Sequence, residues 1–126
     1  MPTEKELKIL VVDDFLATRA ILINQLSNLG YNNTVVSEDG FSALAKLKSS
    51  LFDLVVTDLS MSDMSGLDLL KKIRTDSELK HIPVLMITSE DLQGNIVTAI
   101  KAGLNDYLIR PFKEQTLKQK LEKIFT

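Results

Sequence analysis

Asp13, Asp14 and Asp58 are the residues whose chemistry organises this chain, with Thr88 and Arg110 as their complements. Each acid closes a short apolar run: Ile9 to Val12 before Asp13 and Asp14, and Leu54 to Val56 with Thr57 before Asp58. One Asp after a strand has an ordinary explanation, because its side chain caps turns and helix starts. Three brought together need another. Two unit charges ~4 Å apart repel by about 1 kcal/mol in water and about 4 kcal/mol at the effective dielectric of a protein surface, so a trio demands compensation. Oxygen ligands without histidine or cysteine suit magnesium, which keeps several waters and takes one or two carboxylates plus phosphate oxygens. Thr88 offers a hydroxyl and Arg110 a planar cation, both suited to holding an oxyanion. Together these groups describe phosphoryl chemistry, in which ionised Asp58 attacks phosphorus while Thr88, Arg110 and loop amides hold the equatorial oxygens.

The elements that must position these residues follow from periodicity. Ile9 to Val12 predicts a strand, and Leu22, Leu26 and Leu29 a helix face stopped by Gly30. Val35 and Val36 predict a second strand; Leu44, Leu47 and Leu51 the inward face of the next helix, with Lys46 and Lys48 pointing away. After the Asp58 strand, Ser65 with Asp68 reads as a capping box opening a helix with Leu69, Leu70 and Ile73 inward, so the loop from Leu59 to Met64 overhangs Asp58. Val84 to Ile87 predicts a fourth strand ending in Thr88 and Ser89; Leu92, Ile96, Ala99 and Ile100 a helix face stopped by Gly103. Tyr107 to Ile109 predicts the last strand, and Leu117, Leu121, Ile124 and Phe125 a closing helix. Five strand-then-helix units whose strands are apolar on both faces call for a doubly wound α/β fold: a five-stranded parallel sheet with helices on both sides. Right-handed crossovers place every strand's carboxyl end on one edge, so Asp13, Asp14, Asp58, Thr88 and Arg110 are expected at one rim.

The 126 residues, 44% hydrophobic and 25% charged, fit one domain with a single core. No apolar run approaches the ~20 residues of a membrane span, and the N-terminus MPTEKELK has no signal-peptide form, so the expectation is a cytoplasmic protein without a membrane partner. With no cysteine there are neither disulfides nor thiolate metal sites. A net charge of -2 and a pI near 5.4 argue against nucleic acid as a partner, which calls for a strongly basic face.

These residues carry a family resemblance. From about Lys8 to Phe125 the chain resembles the receiver domains of two-component response regulators, and among them the single-domain chemotaxis regulators: VVDDF, LGYNN, EDG, VVTD, GLDLLKKIR, PVLMITSE, KAG, then Tyr107 before RPF and TLKQKLEKIF. The resemblance implies a flavodoxin-like strand order 2-1-3-4-5 and one receiver domain over residues 1–126, acting as a monomer. It implies that Asp58 accepts a phosphoryl group from a histidine kinase of CheA type, and that Asp13 and Asp14 organise Mg2+, Asp14 directly, with the backbone carbonyl of Ser60 as another ligand. It implies that Thr88 moves toward the phosphoryl group and Tyr107 turns inward, changing the face of the fourth helix, fifth strand and fifth helix, which in chemotaxis relatives meets the flagellar motor switch. A phosphatase is a further partner of this class. Self-directed phosphoryl transfer and autodephosphorylation are the only chemistry expected. The resemblance also suggests a cis bond between Arg110 and Pro111.

Three residues depart from the family pattern: Arg110 stands where lysine is usual, and Ser62 and Ser65 where proline and aspartate are more familiar. Arginine keeps the charge but prefers bidentate contacts. Ser62 loosens a loop that proline would stiffen. These departures keep open a receiver-like binding module or phosphate sink with altered switching. A flavin-binding flavodoxin-like protein would need Ser, Thr or Gly in place of Asp13 and Asp14, and an aspartyl phosphatase a second Asp two residues after the first. Other residues have plainer readings. Tyr107, apart from the resemblance, is a half-buried strand aromatic. Lys113, Lys118, Lys120 and Lys123 make a solvated helix face, His81 is an ordinary loop residue, and Met61 and Met64 are loop packing.

Overall fold

The β-branched runs become strands because both their faces are covered. All four residues of β1 (Ile9–Val12) are buried, as are the first four of β3 (Leu54–Asp58) and the first five of β4 (Val84–Ser89). Strands of that kind belong inside a parallel sheet roofed on both sides. In the computed structural model, which describes residues 6–89 and 93–126, they join β2 (Thr34–Ser37) and β5 (Asp106–Arg110) in one parallel sheet of order β2-β1-β3-β4-β5. This is the expected flavodoxin-like order. It reverses direction between β1 and β3, the pair whose ends carry the acids, and a crevice opens at such a point in open α/β sheets.

Helices α1 (Leu16–Asn28) and α5 (Glu114–Phe125) cover one face, laying Leu22, Leu26, Leu117 and Leu121 on Ile9, Val11, Leu54, Val56, Ile87 and Leu108. Helices α2 (Gly40–Ser49), α3 (Gly66–Thr75) and α4 (Gln93–Lys101) cover the other, where Ala43, Leu47, Leu69, Ile73, Ile96 and Ala99 meet Leu10, Val12, Val55 and Met86. Gly30 and Gly103, the two expected helix stops, have φ of 99° and 105°, a left-handed backbone that side chains with a Cβ resist. The Ser65 hydroxyl accepts from the Asp68 amide at 3.0 Å, which is one arm of the expected capping box.

Several inward or outward assignments change. Leu51 is 90% exposed, because α2 ends at Ser49 and Phe52 fills the core instead. Ile100 is 53% exposed, since Ile96 and Ala99 already close the α4 contact; Leu92 lies outside the described residues. Lys46 does not point away but donates to the Val36 carbonyl, tying α2 to β2, and Lys48 pairs with Asp76 at 2.8 Å. Lys120 is likewise no solvated bystander: its ammonium lies 2.8 Å from Asp106 and 5.3 Å from the Tyr107 ring centre, joining α5 to β5. Met64 is buried against Gly40, His81 is exposed, and both keep their plain readings.

Arg74, near the end of α3, had no assigned role. Its guanidinium donates to the carbonyls of Gly103 at 2.9 Å, Lys80 at 3.1 Å and Ile82 at 2.7 Å, and to the Asn105 side-chain oxygen at 2.8 Å. The same Asn105 oxygen accepts from the Val84 amide at 2.8 Å. A rigid fork of donors thus ties α3 to the starts of β4 and β5, at the edge opposite the acids.

Candidate functional site

The acids meet because β1 and β3 are paired in register, Val12 beside Thr57, so that Asp13 and Asp58 leave the sheet side by side. Asp13 is 2% exposed and fully engaged. One of its oxygens accepts from the Phe15 amide at 2.8 Å, the other from the Thr18 hydroxyl at 2.7 Å and from Arg110 Nη2 at 3.2 Å. Asp14 is exposed and accepts from the Ser62 amide at 3.0 Å. The Asp58 side chain, 12% exposed, takes the Ser60 amide at 3.3 Å, while Arg110 Nη1 stands 3.5 Å from the same oxygen. One carboxylate oxygen from each of Asp13, Asp14 and Asp58 lies within 4.8 Å of the others.

Arg110 therefore spans two of the three acids, with one nitrogen on each. The bidentate habit of arginine is thus divided between two carboxylates. The Arg110–Pro111 bond is cis, as the resemblance suggested. Asp14, Phe15, Asp58, Ser60, Ser89 and Arg110 line an open cleft of about 430 Å³ above the acids. Ser60 lines its wall, as does Ser89 at the end of β4.

Thr88 lies at the same rim, at the carboxyl end of β4, with its side chain turned from Asp58. Asp58 pairs with Ile87, and successive strand residues face opposite ways, so Thr88 points to the face that Asp58 does not. It is 1% exposed, and its hydroxyl donates to the Ser89 carbonyl at a long 3.3 Å. On that face it stands near Tyr107: Thr88 pairs with Ile109 and Met86 with Tyr107, which puts all four on one side of the sheet. Tyr107 is half-buried and packs against the α2–α3–α4 side of the core.

The donor set fits a small divalent cation. It offers hard carboxylate oxygens and no softer ligand, and it opens to a cleft with room for water, which magnesium retains. Asp58 shows the strain of the arrangement. Burial pushes its carboxyl above the ordinary value of 3.8, and the Asp13 charge pushes the same way, while Arg110 and the Ser60 amide only partly offset them. A carboxyl whose folded value is raised contributes stability that is complete below its unfolded value and lost as pH rises through the folded one. Asparagine at the position has no such loss. In the absence of divalent metal, Asp58→Asn is expected to be more stable at neutral pH by about 1 kcal/mol, the scale of one screened charge pair. That advantage should shrink as the pH falls toward 3.8. Urea midpoints for both proteins at the two pH values are the check, and coincident midpoints at neutral pH would show that the carboxylates are not crowded.

Comparison with known proteins points the same way as this geometry. Residues 9–122 match the family model of the response regulator receiver domain. Chemotaxis protein CheY-3 of Vibrio cholerae is 54% identical over 121 residues, which cover 96% of this chain and 93% of that one. Among solved structures, the Vibrio cholerae chemotaxis protein CheY4 superposes with a TM-score of 0.85 at 31% identity, covering 94% of this chain and 98% of that one. The receiver domain of a sensor histidine kinase from Pseudomonas aeruginosa, solved with a magnesium ion coordinated in its active-site cleft, superposes with a TM-score of 0.85 at 27% identity, covering 95% and 98%.

Proposed function

The chain belongs to the response regulator receiver domain family, related to chemotaxis regulators, and from that premise we propose that Asp58 is its phosphoacceptor and Asp13, Asp14, Asp58 and the Ser60 carbonyl its Mg2+ ligands. The observation that carries this reading is the convergence of three carboxylates and one guanidinium on an open cleft. An Asp58 oxygen attacks phosphorus of the donor, the new P–O bond forms as the bond to the leaving group breaks, and the leaving group departs with that electron pair. A bound divalent cation supplies charge neutralisation for the phosphoryl oxygens. Asp13, nine-tenths and more buried and held by Phe15, Thr18 and Arg110, keeps its carboxylate fixed beside Asp58. The amide of Ser60 and the fork of Arg110, both already directed at Asp58, are placed to hold the transferred group's oxygens.

Thr88 and Tyr107 form the switch in this proposal. The long Thr88 bond to Ser89 is cheap to give up, so the hydroxyl can turn toward a phosphoryl oxygen on Asp58. The space it leaves lies on the Tyr107 side of the sheet, where the tyrosine can follow. The output is the surface of α4, β5 and α5, where Val97 and Ile100 of α4 and Lys113 and Lys118 of the α5 segment are exposed. The chain works as one receiver domain in the cytoplasm, a signalling regulator whose only chemistry is transfer to and loss from its own Asp58. Its phosphodonor is a histidine kinase, of CheA type, and its outputs are a flagellar motor switch protein or a phosphatase.

The test is intact-mass measurement after incubation with magnesium and a small acyl phosphate. Wild type should gain one phosphoryl group and Asp58→Asn none. No gain on wild type, or an equal gain on the variant, removes the assignment and leaves a receiver-like binding module.

A further inference from the structure

Two of the three residues that depart from the family pattern touch the acidic cluster directly. The group that Ser62 presents to Asp14 is its backbone N–H, at 3.0 Å. A proline at this position has no N–H to give. Arg110 reaches Asp13 with Nη2 at 3.2 Å and Asp58 with Nη1 at 3.5 Å. A lysine ammonium is a compact point charge without the planar fork that lets one side chain address two carboxylates along separate N–H directions. Between them, these two residues hold one oxygen of each acid, and they do so from different elements: Ser62 from the segment between β3 and α3, Arg110 from the end of β5.

We infer that Ser62 and Arg110 set the cation affinity of this site, holding the three carboxylates by contacts that divalent metal must undo. This rests on the proposal that the acids bind magnesium. The physical grounds are twofold. A carboxylate oxygen already accepting a charge-assisted hydrogen bond is a poorer ligand until that bond is given up. A guanidinium bridging Asp13 and Asp58 also cancels negative charge that would otherwise attract a dication, and it stands where a dication's field repels it. Toward the metal, Ser62 and Arg110 are not ligands: they act through the acids they hold. The consequence is a receiver whose metal loading responds to higher free magnesium than the acids alone would need.

Magnesium titrations of wild type, Ser62→Ala, Ser62→Pro and Arg110→Lys, by calorimetry and by amide NMR, test the inference. Loss of one hydrogen bond to a charged group should tighten magnesium binding about tenfold or more in Ser62→Pro and in Arg110→Lys. Ser62→Ala keeps the N–H and should match wild type. In wild type, the Ser62 amide proton should begin downfield, as a carboxylate-bonded proton does, and move upfield as magnesium is added. Unchanged affinity in a cooperatively folded Ser62→Pro, or a Ser62 amide that stays put on saturation, overturns the role of Ser62. If proline prevents folding, the amide shift alone decides that residue. Unchanged or weaker binding in Arg110→Lys overturns the role of Arg110. Wild type that takes up no magnesium at all refutes the metal site itself, a result distinct from any of these.

Discussion

Asp14→Asn is expected to slow acceptance of a phosphoryl group by Asp58 about 100-fold or more while leaving the fold intact. The fold tolerates it because Asp14 is exposed, and the hydrogen bond it accepts from the Ser62 amide is one that an asparagine carbonyl also accepts. The chemistry suffers because one of three anions that gather the cation becomes neutral. Preorganised charge facing the transferred group is worth about 3 kcal/mol or more, and each 1.36 kcal/mol is tenfold in rate. The measurement is phosphoryl mass against time with an acyl phosphate at millimolar magnesium. Removing divalent metal with a chelator should bring wild type down to a similarly slow rate and should change Asp14→Asn far less. A variant that phosphorylates as fast as wild type, with the same loss on chelation, would show that Asp14 is not a ligand.

Gly66→Ala is expected to cost about 3 kcal/mol or more of stability, the upper range for overpacking, because the atoms in the way are backbone. A Cβ on Gly66 would lie 2.2 Å from the Asp58 carbonyl oxygen and 2.9 Å from Leu59 Cα. No side-chain rotation relieves that contact. The Gly66 amide also donates to the Leu59 carbonyl at 2.8 Å, so the start of α3 and the end of β3 are fastened where they are crowded. Alanine's helix advantage over glycine, about 1 kcal/mol, is too small to reverse the sign. Relief must come from moving Asp58 or tilting α3, and a displacement of about 1 Å at a reacting group costs on the order of 100-fold in rate. Denaturant midpoints should fall and the phosphorylation rate should fall with them. An unchanged midpoint would mean that the loop from 59 to 65 yields freely.

The strands, their parallel arrangement and the meeting of Asp13, Asp14 and Asp58 were legible in the sequence because each has a local sign. Apolar runs such as Ile9 to Val12 mark strands buried on both faces, Gly30 and Gly103 mark helix stops, and Ser65 marks a helix start. Periodicity misled where it was counted beyond an element's end, as at Leu51, or where two residues already filled the contact, as at Ile100. The partners of Arg110 were less legible. They stand 97 and 52 positions earlier in the chain, and nothing local says whether a guanidinium will rest on one acid or bridge two. The Ser62 contact is made by a backbone group, which every residue but proline possesses and which therefore leaves little mark in the sequence. Thr88 could have been placed better: once Asp58 is paired with Ile87, alternation alone turns Thr88 to the opposite face.

The Arg74 fork has a mechanical consequence. It grips Gly103 and Asn105 just beyond the last turn of α4, while the other end of that helix follows Ser89 at the wall of the cleft. A rod pinned at one end cannot translate; it swings. With nine residues, α4 is roughly 13 Å long, so a shift of about 1 Å at its Gln93 end becomes a turn of roughly 4° about the Arg74 pivot. For such a turn the travel is greatest near Gln93 and Gly94 and least near Lys101, in proportion to the length of the lever arm.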